Sequence, residues 1–287
     1  MIRIALPNKG RLAEDARELF EHAGLELEFR SERALQAALG GEYTALFVRA
    51  QDIPEFVADG AADLGITGRD LIEESGRTVT PLLDLGFGYC RLSVAVRDEN
   101  PATSVAELPD GMRVATTFPN LTERFFRERG RTATIVRISG AAEITPLLGV
   151  ADAIVDLVAT GSTLRTNGLR ELDTILESTA LLIANPALMQ DPERARSASE
   201  IAATLESVLR ARDKRYLMAN VPRRVLPEIR RILPGINGPT IVDVLDGGEI
   251  VAAHAVVDRR DINHVIAELK ALGAEGILVT RIERLMP

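Results

Sequence analysis

An apolar run from Ala153 to Val158, broken only by Asp156, leads directly into Thr160-Gly161-Ser162-Thr163. A run of this length and composition reads as a buried strand, and Gly161 permits a tight turn with close backbone approach. If Thr163-Leu164-Arg165 opens a helix, unpaired backbone N–H groups stand beside three hydroxyls, an arrangement that suits a phosphate dianion. The same residues also serve as an ordinary strand-to-helix turn with a Ser or Thr cap. Either way the segment is a strand, a glycine turn and a helix, which commits this part of the chain to an α/β architecture.

The rest of the chain repeats that alternation. Residues 2–6 read as a strand and Pro7-Asn8-Lys9-Gly10 as a turn. Leu12, Ala16, Leu19, Phe20 and Ala23 then recur at helical spacing up to Gly24. A strand near 43–48, a helix near 53–58, a strand near 64–66 and a helix from Arg69 follow. These imply a mostly parallel sheet covered on both faces, with binding loops at the carboxyl ends of its strands. A second α/β unit starts near Arg91. It contains strands over 91–96, 112–117, 133–138 and the 153–158 run, with helices predicted over 104–108, from Leu121, and over 141–149. Residues 191–212 carry a long helical pattern. Beyond it the order changes to strand (214–221), helix (222–233), two strands (239–245 and 250–257), helix (262–272) and strand (276–282). This βαββαβ order is ferredoxin-like, and Asp246-Gly247-Gly248 signals the hairpin between its middle strands.

Composition narrows the function. The 287 residues carry a net charge of −8, which opposes a broad nucleic-acid surface while allowing a local basic pocket. With no tryptophan and 4% aromatic residues, base stacking on aromatic side chains is a poor fit. Cys90 is the single cysteine, so no internal disulfide forms; it reads as a small buried hydrophobe. His22, His254 and His264 are scattered and form no metal-ligand pattern. The N-terminal stretch lacks a signal-peptide core, and no apolar run approaches the ~20 residues that span a bilayer. The expected location is the cytoplasm.

The segment from Asp152 to Leu169 matches D-x-x-x-D-L-V-x-T-G-x-T-L-x-x-N-G-L, and in this pattern the chain resembles the ATP phosphoribosyltransferases. Other stretches support the resemblance in the same order along the chain. They are 6–12 (LPNKGRL), 48–54 (VRAQDIP), 63–70 (DLGITGRD), 86–92 (GFGYCRL) and 115–121 (ATTFPNL). The resemblance spans essentially the whole chain and includes the C-terminal extension of the long form. It implies a two-lobed catalytic body like the type II periplasmic binding proteins, followed by the ferredoxin-like regulatory domain. Lobe I would take residues 1–90 plus about 178–211, lobe II residues 91–177, and the regulatory domain 212–287.

The implied reaction joins N1 of the adenine of ATP to C1 of phosphoribosyl pyrophosphate and releases pyrophosphate. Such a site holds the 5-phosphate, neutralises the leaving group and orients the base, without a covalent nucleophile. Thr160, Gly161, Ser162 and Thr163 are expected at the 5-phosphate. Asp152 and Asp156, at i, i+4 spacing on one face of an extended segment, are candidates for the ribose hydroxyls. Asp156 is the stronger, since an unpaired carboxylate within an apolar strand is costly to bury. Glu143 either faces the ribose or serves a capping box begun at Ser139 or Gly140. Arg49, Arg33 and Lys9 are the expected catalytic cations: guanidinium groups pair bidentately with phosphate oxygens, and Lys9 follows a strand at a tight turn where the resemblance implies pyrophosphate or nucleotide contacts. Arg11 and Asp70 are candidates for the nucleotide, although Asp70 also suits a helix cap. The resemblance further implies Mg²⁺ carried mainly by substrate phosphates with no protein cluster, inhibition by L-histidine, and a dimer-based homohexamer. Asn220, Ile236, Gly276 and Thr280 would line the histidine site. Two alternatives stand beside this reading. A type I phosphoribosyltransferase would carry two adjacent acids before a Thr-Thr-Gly loop, which this chain lacks. A solute-binding module of the same architecture would need export and would leave the hydroxyl loop beside Asp156 unexplained.

Overall fold

The computed structural model describes residues 2–29, 34–244 and 248–286. Arg33, one of the expected catalytic cations, lies outside the described residues, as do Asp246 and Gly247 of the expected hairpin turn. The chain divides into two compact units, 1–202 and 203–287.

In the first unit the chain runs through β1 (Arg3–Pro7), α1 (Ala13–His22), β2 (Leu27–Glu28), β3 (Gln36–Leu39), β4 (Tyr43–Val48), α2 (Ile53–Ala58), β5 (Leu64–Gly68), α3 (Arg69–Ser75), β6 (Thr80–Asp84) and β7 (Cys90–Arg97). It continues through β8 (Met112–Thr116), α4 (Pro119–Glu128), β9 (Ala133–Arg137), β10 (Ala153–Val158), α5 (Ser162–Thr166), β11 (Leu169–Ser178), β12 (Ala180–Ala184) and α6 (Pro192–Arg212), the last of which runs on into the second unit. These strands form two sheets. One is seven-stranded in the order β2-β3-β4-β1-β5-β12-β6; the other is five-stranded in the order β11-β7-β10-β8-β9. The chain crosses between sheets twice, at 85–90 and at Thr179, which gives the two-lobed body.

Parallel pairing is confined to β4-β1-β5 in one sheet and β10-β8-β9 in the other. The sheets are thus mixed, where alternation alone predicts mostly parallel ones. The reason lies in the crossings: β12 returns from the other lobe antiparallel to β5, and β7 enters antiparallel to β10. Two expected helices shrink to single 3₁₀ turns, Val105–Glu107 and Ala142–Ile144. Pro109 and Pro146 follow closely and restrict helical propagation.

A seam joins the lobes beside the crossings. At the end of α3, Glu74 accepts hydrogen bonds from the backbone N–H groups of Asn120 and Leu121, each 2.9 Å, at the start of α4. The Asn120 amide donates to Glu74 O (2.9 Å), and Arg124 pairs with Glu73 (2.9 Å).

The second unit builds a four-stranded sheet. Its elements are β13 (Lys214–Pro222), α7 (Leu226–Ile232), β14 (Thr240–Asp243), β15 (Ile250–Asp258), α8 (Ile262–Ala271) and β16 (Glu275–Arg281). Its strand order is β14-β15-β13-β16, with antiparallel neighbours throughout. This is the ferredoxin-like arrangement that βαββαβ order predicts. Leu217, Ala219, Val221, Val251, Ala253, Val265 and Leu269 fill its core.

Candidate functional site

Register alone brings the two sets of parallel strand ends to one place. In the first sheet Pro7 pairs with Val48, and Asn8 N donates to Val48 O at 2.8 Å. Lys9 and Arg49 therefore leave neighbouring strand ends. Thr67 Oγ1 donates to Ala50 O (2.8 Å), which ties the residue after Arg49 to the end of β5. Arg11 reaches from the same edge to the crossing segment, donating to Gly88 O, and pairs with Asp70 at 3.4 Å. In the second sheet Val158 pairs with Arg91, one residue after the crossing. The hydroxyl loop that follows β10 consequently borders the same junction.

The cations of the first edge differ in their restraint. Lys9 and Arg49 are exposed, and no side-chain partner holds either among the described residues. Arg11 is tethered. Asp70 is fully buried, accepts from Ser178 Oγ at 2.6 Å, and faces the Arg11 guanidinium, while its own N–H donates to Ser178 Oγ at 3.0 Å. Asp70 thus orients Arg11 from the interior.

The second edge is assembled around β10. Asp156 lies between Ile154 and Val158 on one face of the sheet, half-buried, and its only local donor is the Leu157 N–H at 2.8 Å. Burial pushes its carboxyl above the usual carboxylate range, and the nearby Glu143 charge adds to that. The Glu143 carboxylate is therefore within electrostatic reach of Asp156. Gly161 adopts φ +73°, the left-handed conformation, where a Cβ would meet the Arg165 guanidinium at 3.0 Å. Thr160 and Ser162 hydroxyls lie 3.0 Å apart, and the Ser162 N–H points to Thr160 Oγ1 at 3.4 Å. The loop opens the short helix α5, with Thr163 exposed on it.

The structure does not bring Asp152 to this loop. It precedes β10, so the whole strand separates it from Thr160, a span of about 20 Å at ~3.3 Å per residue. There it pairs with Arg113 at 2.8 Å and accepts the Arg113 N–H at 2.9 Å. Those two hydrogen bonds hold its carboxyl below the usual range.

Residues that the sequence reading missed also border the loop. Arg91 donates to Ala159 O at 3.3 Å and to Glu171 Oε2 at 2.6 Å; Arg165 donates to Thr160 O at 3.3 Å. Arg91 lies within a stretch quoted for the resemblance, yet nothing in its spacing marks a contact with the loop. Cys90 is buried, and burial pushes its thiol up. In the second unit Asn220 and Gly276 adjoin: a Cβ at Gly276, φ +58°, would stand 3.2 Å from Asn220 Nδ2. Thr280 pairs with Tyr216 farther along β16, and Ile236 sits on a separate turn closed by Gly238 N to Pro234 O.

A model of the ATP phosphoribosyltransferases matches residues 49–207, and a model described as HisG, C-terminal domain matches 211–284. The ATP phosphoribosyltransferase of Gemmatimonas aurantiaca is 59% identical to this chain over the full length of both. The chain belongs to the ATP phosphoribosyltransferase family. Its relatives include the enzymes of Natronomonas pharaonis, 50% identical, and Methanocaldococcus jannaschii, 43% identical, each also covered end to end. Among solved structures, a chain of the ATP phosphoribosyl transferase (HisG:HisZ) complex from Thermotoga maritima is 28% identical with a TM-score of 0.65. That match covers 73% of this chain and 99% of that one. As an ATP phosphoribosyltransferase this chain is a pentosyltransferase. It transfers phosphoribosyl from phosphoribosyl pyrophosphate to N1 of the adenine of ATP, the first step of histidine biosynthesis. Phosphoribosyltransferases generally use a divalent metal ion. Among the described residues no group of three or more His, Cys, Asp or Glu side chains could hold one, and no helix is long and apolar enough to cross a membrane.

Proposed function

We propose that the two strand-end edges divide the labour of this transfer. The loop Thr160 to Thr163 takes the 5-phosphate through its hydroxyls and backbone N–H groups. Asp156 accepts hydrogen bonds from the ribose hydroxyls, with Glu143 beside it. Lys9 and Arg49 meet the pyrophosphate, and Arg33 belongs with them on its motif. Arg11 contacts the nucleotide, held by Asp70. As N1 of adenine donates its lone pair to C1, the bond from C1 to the pyrophosphate oxygen breaks and its electrons leave with the pyrophosphate. Free cations at that position stabilise the charge as it develops. Asp152, paired with Arg113 at the far end of β10, has a folding role in this reading.

The metal in this reading is Mg²⁺. The loop's donors suit phosphate oxygens rather than a hard cation, so Mg²⁺ would be held mainly by the substrate's phosphates, where it would supply charge neutralisation. The second unit is a regulatory domain that binds L-histidine in a cytoplasmic homo-oligomer built from dimers. Asn220, Gly276, Thr280 and Ile236 are the candidate contacts. The observation that carries the catalytic reading is the hydroxyl loop beside the half-buried, unpaired Asp156. Its test is calorimetry of phosphoribosyl pyrophosphate binding to Thr163→Val. Loss of one hydrogen bond to a charged group, about 1.5–3 kcal/mol, should weaken affinity about tenfold or more; unchanged affinity removes the loop from the site. Titration of the intact enzyme with histidine tests the regulatory reading, and neither binding nor inhibition at millimolar histidine would leave the second unit without that role.

A further inference from the structure

The hydroxyl loop is held from behind by a carboxylate that makes no hydrogen bond to it. Arg91 and Arg165 each donate to one loop carbonyl, Ala159 O and Thr160 O, both at 3.3 Å. Arg91 pairs with Glu171 on β11, and the Arg165 guanidinium lies beside the same turn of the loop. Arg91 binds Glu171 through Nε at 2.6 Å and again through Nη2, 2.5 Å from Oε1. The Arg165 charge helps to lower the Glu171 carboxyl below its usual range, after the larger effect of the Arg91 hydrogen bond. The fully buried Ser93 fixes the carboxylate itself, donating to Oε2 at 3.0 Å.

Register explains why these groups meet. Ser93 lies directly opposite Asp156, and β11 pairs with β7 on the other side. Arg91 and Ser93 are two residues apart on one strand and so share a face. That face also carries Asp156, because directly paired residues project to the same side. Gly161 completes the fit: a Cβ there would meet Glu171 Oε1 at 3.4 Å as well as Arg165. The network therefore packs against the backbone of the loop's turn.

A loop that receives a phosphate must present N–H and hydroxyl groups forward, and its carbonyls must face elsewhere. We propose that Glu171 is a positioning residue for phosphoribosyl pyrophosphate: it aims Arg91 at the loop carbonyl Ala159 O, beside the Arg165 bond to Thr160 O, which leaves the loop's donors facing the 5-phosphate. This rests on the reading of Thr160 to Thr163 as the phosphate loop. Without Glu171 the Arg91 guanidinium loses its partner, and the loop relaxes into orientations that bind phosphate less well. Preorganisation of this kind acts on one substrate. Glu171→Ala also leaves the buried Ser93 hydroxyl without its acceptor and Arg91 without its counter-charge, so that variant loses stability as well.

The experiment uses the full chain with Glu171→Ala, Glu171→Gln, Arg91→Ala, the Glu171→Ala/Arg91→Ala pair and Thr163→Val. Steady-state kinetics give KM for each substrate, calorimetry gives phosphoribosyl pyrophosphate binding, and thermal unfolding gives Tm. Glu171→Ala should raise KM for phosphoribosyl pyrophosphate about tenfold, with KM for ATP close to that of the parent and a lowered Tm, part of which Glu171→Gln restores. Glu171→Gln keeps an acceptor for Ser93 without the charge and should fall between. The double variant should be no worse than the worse single one, since both remove one unit. If Thr163→Val weakens phosphoribosyl pyrophosphate binding and neither Glu171 variant does, the positioning role is wrong and the loop reading stands. If none of the variants alters that binding, both are wrong. Equal rises in the two KM values with a lowered Tm, in both Glu171 variants, would make Glu171 a structural residue and overturn the proposal.

Discussion

The two strand-end edges that border the crossings are finished to different degrees. At the edge of the first sheet, Lys9 and Arg49 project without a partner among the described residues. At the edge of the second, nearly every charge is already matched: Arg91 with Glu171, Arg165 with a loop carbonyl, Glu171 with Ser93. The exceptions among the described residues are Asp156, with one backbone donor and a raised carboxyl, and Glu143, which has no side-chain partner. The contrast suits the two halves of the reaction. The 5-phosphate keeps its charge throughout and is best met by a rigid receptor. Negative charge on the departing pyrophosphate grows only as the bond breaks, and cations that are unengaged beforehand have most to gain from it.

Substitutions can break that contrast in order of expected size. Arg49→Ala should lower kcat by about 100-fold or more, the scale seen when a donor to a developing negative charge is removed. A rise in KM for ATP with kcat unchanged would make Arg49 a nucleotide anchor instead. Asp156→Asn should reduce kcat/KM for phosphoribosyl pyrophosphate by about 10–100-fold, from loss of a charged hydrogen-bond acceptor. Its stability should be unchanged or higher at neutral pH. A carboxyl whose folded pKa is raised favours the folded state below its unfolded pKa and loses that advantage as pH rises through the folded value. A marked drop in Tm at neutral pH would show that Asp156 holds the fold. Asp152→Asn should have the smallest effect, about 0.5–1 kcal/mol of stability at pH 7, because the pair with Arg113 is half-exposed. The sign here is opposite. The lowered Asp152 pKa contributes stability above its unfolded value, and the difference between variant and parent should vanish as pH falls through the folded value. A large loss of phosphoribosyl pyrophosphate affinity in Asp152→Asn would return it to the site.

Most elements were legible because their signals are local. Ala153–Val158, Tyr43–Val48 and α2 follow from apolar runs and helical spacing, and the βαββαβ order fixed the second unit's sheet. The short strands Leu27–Glu28, Gln36–Leu39 and Thr80–Asp84 were not. They mix polar and small residues: Gln36–Leu39 is completed by a hairpin with β4, Leu27–Glu28 by Gln36–Leu39 in turn, and Thr80–Asp84 by β12, distant in sequence. The same holds at the site. Thr160 to Thr163 declare themselves by composition. The pairing of Asp152 with Arg113 is a long-range event, and an i, i+4 spacing says nothing of it when one residue lies before the strand and the other within it. Glu171 was invisible for a similar reason: its partners Arg91 and Ser93 arrive from β7, distant in sequence, and its own strand reads as an ordinary edge.

The seam at Glu74 has a mechanical consequence. Arg69 N donates to Thr179 O at the second crossing, and Glu74 grips α4 five residues later, about 7.5 Å along the helix at 1.5 Å per residue. Two rigid bodies fastened along a line keep one freedom, rotation about that line, and lose the sliding and twisting that would misalign them. The lobes can then part or approach like the covers of a book, so each closure returns the loop and the free cations to the same opposition. Glu74→Ala loosens the binding, and the distances between spin labels on the two lobes should spread; an unaltered distribution would assign the alignment to the crossings alone.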